Sequence, residues 1–92
     1  MSLAEVRAEI DRLDDQIVAL LAQRQNQVTK AAQFKTDEAA VRGADRRAQL
    51  MQRLRARALA EGVDPEVVAA VYTAMVDAFI ELELRKHREN GG

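Results

Sequence analysis

Apolar residues recur at helical spacing throughout residues 2–35, for about nine turns, and neither glycine nor proline interrupts them. The pattern predicts one long helix. Alternate steps of three and four residues pick out one face, which consists of Arg7, Ile10, Asp14, Ile17, Leu21, Arg24, Val28, Ala31 and Lys35. Its aliphatic residues indicate that the face is buried, but three cations lie among them, and cations are normally excluded from buried surfaces. We therefore expect an anion to bind there.

The beginning and the end of this helix have their own signals. Ser2 is followed three positions later by Glu5, which is the spacing of a capping box at a helix N-terminus. The helical period is lost in residues 36–44, which contain Gly43, the first glycine of the chain. This stretch is interpreted as a loop of about nine residues, and loops of that length often close over ligands.

Two shorter helices are predicted after the loop. The second begins near Asp45, a possible N-cap, covers residues 45–60 and is ended by Gly62. The third covers residues 65–89, because Asp64 precedes it as a candidate N-cap and a proline occupies its first position.

The apolar stripe of the third helix places the carboxyl group of Glu83 on or beside its buried face. Residues 89–92 are expected to form a frayed tail. No strand pattern is present, so the fold class is predicted to be all-α, with three helices in a single domain over residues 1–92.

The first helix is too long for one copy of the chain to cover. A helix over residues 2–35 would be about 50 Å long, whereas a compact chain of 92 residues has a diameter of roughly 32 Å. A second copy would cover the remaining apolar face, so we expect an intertwined homodimer. Arg7 and Arg24 are also about 25 Å apart along the helix, too far to contact one small ligand. An antiparallel partner could bring its own Arg7 beside Arg24.

Composition excludes several classes of function. The net charge of −1 argues against nucleic acid as the main partner, and the arginines of the second helix point around the whole helix with no aromatic residues between them. No cysteine and a single histidine exclude a disulfide framework and a zinc cluster. With no signal-peptide pattern and no run of 18 apolar residues, we expect a cytoplasmic protein that does not bind membranes.

The cations of the long helix are candidate ligands for an anion. Arg7, Arg24 and Lys35 could each lie along the edge of the apolar seam and keep the charge in water. Taken together, three cations with few interleaved acids favour a pocket for a multiply charged anion. Arg46 could join them, because it follows the Gly43 loop at a helix N-terminus, where free N–H groups favour anions. The alternative for Arg46 is a solvated side chain.

Glu83 has two interpretations. It could be a surface acid that pairs with Lys86 or His87 on the same helix. It could instead be a carboxyl group partly buried beside Phe79 and Val76 that donates a hydrogen bond in its neutral form. The pattern leaves both open.

The chain resembles the all-helical class of chorismate mutases in the segments Glu5-Val6-Arg7, Ile10-Asp11-Arg12-Leu13-Asp14, Leu20-Leu21-Ala22-Gln23-Arg24 and Ala31-Ala32-Gln33-Phe34-Lys35. The order of one very long helix, a loop and two shorter helices is similar too, so the resemblance covers nearly all of the chain. The same scaffold serves isochorismate pyruvate lyases, and the segment Phe34-Lys35-Thr36-Asp37-Glu38-Ala39-Ala40 resembles those at least as closely.

The resemblance implies an intertwined homodimer with two active sites, each of which takes Arg7 from one chain and its other residues from the second. Arg24 and the partner's Arg7 would bind the two carboxylates of chorismate or isochorismate. Lys35 would donate to the ether oxygen and to a carboxylate, Arg46 would lie near the ring, and Glu83 stands where many members have glutamine. Lys35 and Glu83 would be the catalytic residues. The expected substrate-binding set also includes Gly43 through its backbone, Arg47 and Phe79. The family has no cofactor, in agreement with the absence of a cofactor or metal motif here.

One position departs from the mutase pattern. Bacterial mutases of this class often carry a glutamate after the arginine that Arg46 matches, and this glutamate contacts the substrate hydroxyl; here the residue is Arg47. Three hypotheses follow: a chorismate mutase, which converts chorismate to prephenate; an isochorismate pyruvate lyase; and a helical dimerisation module without a small ligand. The first is the leading prediction.

Overall fold

The computed structural model describes residues 1–89, and all the regular structure within them is helical. There are three long helices and one short one: α1 (Leu3–Ala32), α2 (Glu38–Arg42), α3 (Ala44–Glu61) and α4 (Pro65–Glu89). The all-α prediction is therefore confirmed. Of the predicted frayed tail, residue 89 is still helical, and residues 90–92 lie outside the described residues.

Contacts within the chain divide it into two compact units, Met1–Ala31 and a second unit that begins at Ala32. The first unit is α1. Its N-terminus is capped as predicted, because the Glu5 N–H donates to Ser2 Oγ at 3.1 Å and Ser2 Oγ donates to Glu5 Oε1 at 3.3 Å. No residue of α1 is buried in the single chain, although the pattern predicted a buried face. Six exposed apolar side chains of α1 follow heptad spacing, and Val18 is exposed beside them: Leu3, Val6, Ile10, Leu13, Ile17 and Leu20.

Helix α1 ends three residues earlier than predicted, at Ala32, so Lys35 is not part of it. The Lys35 N–H donates to the Ala32 carbonyl at 3.1 Å, which closes a tight turn. The next residues must become extended, because Asp37 (φ −144°, ψ 171°) is the N-cap of a new helix. The prediction that Lys35 lies on the long helical face is wrong for this reason.

The prediction of a loop over residues 36–44 is also wrong, since α2 lies within it. Asp37 Oδ1 accepts the Ala40 N–H at 2.8 Å, and Gly43 ends the helix with a positive φ of 49°. A helix of five residues is too short to show a hydrophobic period, so only its caps could have revealed it. The same Gly43, and not Asp45 as predicted, is the N-cap of α3.

The second unit is held together by the packing of α3 and α2 on α4. Gly62 ends α3 as predicted: its φ is 77°, and the Val63 N–H donates to the Ala58 carbonyl at 2.9 Å in a Schellman arrangement. The predicted cap of α4 is confirmed as well, because Asp64 Oδ1 accepts the Glu66 N–H at 2.9 Å.

Apolar contacts of the second unit lie along α4. The buried apolar residues are Leu50, Leu54 and Ala58 of α3, Ala69, Ile80 and Leu84 of α4, and Val41 of α2. Val41, Ile80 and Leu84 form one cluster, against which Val76 packs. Within residues 1–89, no helix is long and apolar enough to cross a membrane.

Candidate functional site

A lysine and a glutamate form an ion pair within the second unit. Lys35 Nζ lies 3.3 Å from Glu83 Oε1 and 3.1 Å from Glu83 Oε2, so it donates to both carboxylate oxygens. The Glu83 side chain is only 8% exposed, whereas the Lys35 side chain is 28% exposed. The carboxylate is therefore the buried member of the pair, and the ammonium is the member that still reaches the surface.

The packing of α2 on α4 explains why Glu83 is buried. Glu83 is adjacent in sequence to Leu84 and lies three residues after Ile80, and both of these side chains pack on Val41. The α4 face that receives α2 therefore carries Glu83 at its edge. The interpretation of Glu83 as a surface acid that pairs with Lys86 or His87 is wrong, and that of a carboxyl group on the buried face of α4 is confirmed.

The short helix α2 also determines where Lys35 lies. Lys35 is two residues before Asp37, whose side chain caps α2, and two residues after the turn at Gln33. Lys35 therefore lies in the short connection that links the end of α1 to the start of α2. Among residues 1–89, no buried side-chain nitrogen or oxygen lacks a hydrogen-bond partner. A buried carboxylate with its own cation is stable in this setting, since the charge is paired.

Arg47 takes part in a second interaction between helices. Arg47 Nη1 donates to Asp77 Oδ1 of α4 at 2.6 Å, and Arg47 Nη2 is 3.5 Å from the Thr73 carbonyl oxygen. The neighbouring Arg46 is exposed, and within residues 1–89 its guanidinium group makes no ion pair or side-chain hydrogen bond. Of these two adjacent arginines, one is therefore engaged by α4 and the other is available to an anion.

Gly43 connects α2 and α3, and its backbone groups are already hydrogen bonded. Its N–H donates to the Ala39 carbonyl at 3.0 Å, and its carbonyl accepts the Arg47 N–H at 2.9 Å. Of the remaining predicted site residues of this unit, Phe79 is half-buried and lies one turn before Glu83 on α4. Phe79 and Glu83 are therefore neighbours on α4, and Glu83 is paired with Lys35.

Arg7 and Arg24 belong to the first unit. Arg7 is exposed and Arg24 is half-buried. Because α1 is continuous from Leu3 to Ala32, these two arginines are about 25 Å apart along its axis. One chain therefore cannot bring both arginines to a single small ligand.

Sequence reasoning missed Asp77 and Thr73, the partners of Arg47. The only signal was a carboxyl group on α4 one turn before the apolar residue Ile80. No group of three metal-ligating side chains is present within residues 1–89. The chemistry available in the second unit is that of an ammonium group oriented by a buried carboxylate, together with the exposed guanidinium of Arg46, which can bind an anionic group.

Comparisons with known proteins bear on the identity of that ligand. The model of the family described as chorismate mutase type II matches residues 6–84, a range that contains every predicted site residue. The chain is also similar to an isochorismate pyruvate lyase from Pseudomonas aeruginosa, with 30% identity over 90 residues. This match covers 98% of the present chain and 89% of that protein.

Proposed function

The chain belongs to the chorismate mutase type II family, and from this we propose that it is an enzyme that binds a small dianion and converts chorismate to prephenate. The observation that carries the proposal is the Lys35–Glu83 pair, in which a partly exposed lysine is held by a buried carboxylate. Such a pair offers a fixed hydrogen-bond donor to a substrate oxygen.

The proposed reaction makes few demands on the protein. In the rearrangement of chorismate, a C–O bond breaks while a C–C bond forms within the same molecule, and no protein atom bonds to the substrate. Catalysis then depends on holding the reactive conformer and on stabilising negative charge that develops on the ether oxygen. Lys35 would donate to that oxygen. Glu83 would orient Lys35 and, when protonated in the complex, would donate a hydrogen bond of its own.

The two carboxylates of the substrate require further cations, and we propose Arg24 and Arg7 of a second copy for this role. The 25 Å spacing, about 17 residues at 1.5 Å each, prevents the Arg7 and Arg24 of one chain from sharing a ligand. The exposed heptad stripe of α1 supports a homodimer, since a second copy would bury it. In this arrangement Arg46, which has no partner within residues 1–89, would lie near the ring. Gly43, Arg47 and Phe79 complete the proposed substrate surroundings.

A second candidate is isochorismate pyruvate lyase activity. The similarity to the Pseudomonas aeruginosa lyase over 98% of the chain favours it. It is also favoured by Arg47, which replaces a glutamate common in mutases and is engaged with Asp77. In that reaction the same C–O bond breaks, a ring hydrogen moves to the enolpyruvyl methylene carbon, and salicylate and pyruvate are released. The cation set would serve both reactions, because both substrates carry the same charges.

Product analysis separates the two candidates. Purified protein is incubated with chorismate and with isochorismate in separate reactions, and the products are identified by chromatography and mass spectrometry. Prephenate from chorismate supports the mutase, and salicylate with pyruvate from isochorismate supports the lyase. A thermal-shift measurement with a bicyclic mimic of the transition state accompanies the assay, because a ligand of the native protein raises its melting temperature. No product and no shift would contradict both proposals and leave a dimerisation module.

A further inference from the structure

Helix α3 begins without a side-chain cap. Its N-cap is Gly43, which provides no side-chain hydrogen bond and has the left-handed backbone conformation (φ 49°, ψ 55°). The first buried residue of α3 is Leu50, almost two turns further on. The first turn of α3, which contains Arg46, therefore needs another interaction to fix its orientation on α4.

The Arg47 side chain supplies that interaction. Its guanidinium group reaches α4 at two points one turn apart, Asp77 Oδ1 at 2.6 Å and the Thr73 carbonyl oxygen at 3.5 Å. The Arg47 side chain is 30% exposed, so much of its length lies against protein. A planar guanidinium that contacts two groups on one helix restrains the rotation of α3 against α4 as well as the distance between the two helices.

The same contact directs Arg47 away from the proposed reaction centre. Asp77 precedes Glu83 by six residues, which places the two side chains about 120° apart around α4 and about 9 Å apart along its axis. Ile80 lies between them, against Val41. Lys35 and Arg47 thus bind opposite flanks of the α4 face that packs on α2.

We propose that Arg47 is a positioning residue that acts through its neighbour Arg46. By anchoring the first turn of α3 to Asp77 and Thr73, Arg47 fixes the direction in which Arg46 leaves the helix, and Arg46 then contacts the anionic substrate. The inference rests on the proposed function, because it assigns a role in substrate binding. The expectation from the sequence was that Arg47 contacts the substrate directly. The inference replaces this contact with an indirect effect through Arg46.

The test is a double-mutant cycle on the full-length protein. Steady-state kinetics are measured for the wild type, Arg47→Gln, Arg46→Ala and the double variant, with whichever of chorismate and isochorismate the wild type converts. Arg47→Gln is expected to raise KM about three- to tenfold, with kcat changed by less than about twofold, since one charge-assisted contact is misdirected. In the Arg46→Ala background, Arg47→Gln should raise KM no further.

A second variant distinguishes positioning from direct contact. Asp77→Asn removes the anchor and leaves Arg47 intact. If Arg47 only positions Arg46, Asp77→Asn raises KM as Arg47→Gln does. If Arg47 binds the substrate itself, releasing it from Asp77 leaves KM unchanged or lowers it, and the inference is overturned.

The control is a second ion pair between the same two helices. Arg55 Nη1 contacts Glu66 Oε1 at 2.5 Å, which joins the C-terminal half of α3 to the first turn of α4. Arg55→Gln should lower the melting temperature about as much as Arg47→Gln while leaving KM unchanged. A rise in KM for Arg55→Gln, or equal effects of Arg47→Gln with and without Arg46, would show a merely structural role.

The kinetics also separate a failure of the inference from a failure of the proposed function. If the wild type converts neither substrate, the proposed function fails and this inference fails with it. If the wild type converts one substrate but KM is insensitive to substitution of Arg47 and Asp77, only the inference fails.

Discussion

Lys35 and Glu83 are 48 positions apart in the chain, and Lys35 Nζ lies 3.3 and 3.1 Å from the two carboxylate oxygens of Glu83. The carboxylate is buried and the ammonium is partly exposed. If the pair is broken, the buried carboxylate loses the ammonium group that is paired with it, whereas the lysine can still be hydrated. The two residues also have different roles in the proposed catalysis.

Removal of the Lys35 ammonium group should reduce turnover far more than binding. Lys35→Ala is expected to lower kcat about 10²- to 10³-fold with a small change in KM, because it removes the donor to the ether oxygen, a loss of roughly 3 to 4 kcal/mol. Steady-state kinetics with the accepted substrate measure both parameters. Lys30→Ala is the matched control, since Lys30 is an exposed lysine in the last turn of α1. Small changes in both parameters would show that Lys35 is not catalytic.

Replacement of Glu83 by glutamine should preserve the reaction, and replacement by alanine should not. The glutamine amide can donate a hydrogen bond to the ether oxygen, and its carbonyl oxygen can still accept from Lys35, so Glu83→Gln is expected to keep kcat within about threefold of the wild type. Glu83→Ala removes both groups and should lower kcat at least about tenfold. Glu81→Gln, two positions earlier and exposed, should leave kcat unchanged. A Glu83→Ala variant as active as the wild type would contradict a role for Glu83 in the reaction.

The asymmetric burial of the pair predicts unequal losses of stability. Lys35→Met leaves a carboxylate that is only 8% exposed without its cation, and the expected loss in the free energy of unfolding is about 2 to 4 kcal/mol. Glu83→Gln leaves a lysine that can turn into water and should cost less than about 1 kcal/mol. Urea denaturation at one fixed protein concentration compares the two variants. Equal losses would mean that the carboxylate is not the buried member.

Mixed dimers test whether each site uses residues of two chains. Arg7→Ala and Lys35→Ala are each expected to inactivate the protein when present alone. In a heterodimer of the two variants, one site receives both substitutions and the other receives neither, so the heterodimer should have about half of the wild-type activity. Co-expression with two different affinity tags, followed by assay of the doubly tagged fraction, measures this. An inactive doubly tagged fraction would place Arg7 and Lys35 of one chain in the same site.

The sequence alone was sufficient for local features. The cap of α1 at Ser2, the end of α3 at Gly62 and the start of α4 after Asp64 were all predicted and are all present. Such signals are readable because the interacting groups lie within about five residues of one another. The helical period of α1 and α4 was also readable, because a long amphipathic helix repeats its apolar pattern over many turns.

Tertiary packing decided the features that the local pattern could not contain. Helix α2 is too short to show a period, and its formation moves Lys35 off the long helix and buries Val41 on α4. The partners Lys35 and Glu83, and Arg47 and Asp77, are 48 and 30 positions apart. The sequence identified Lys35 and Glu83 as candidate site residues. Only the packing of α2 and α3 on α4 determined which charged side chains are paired, because the burial of a carboxylate depends on the elements that cover it.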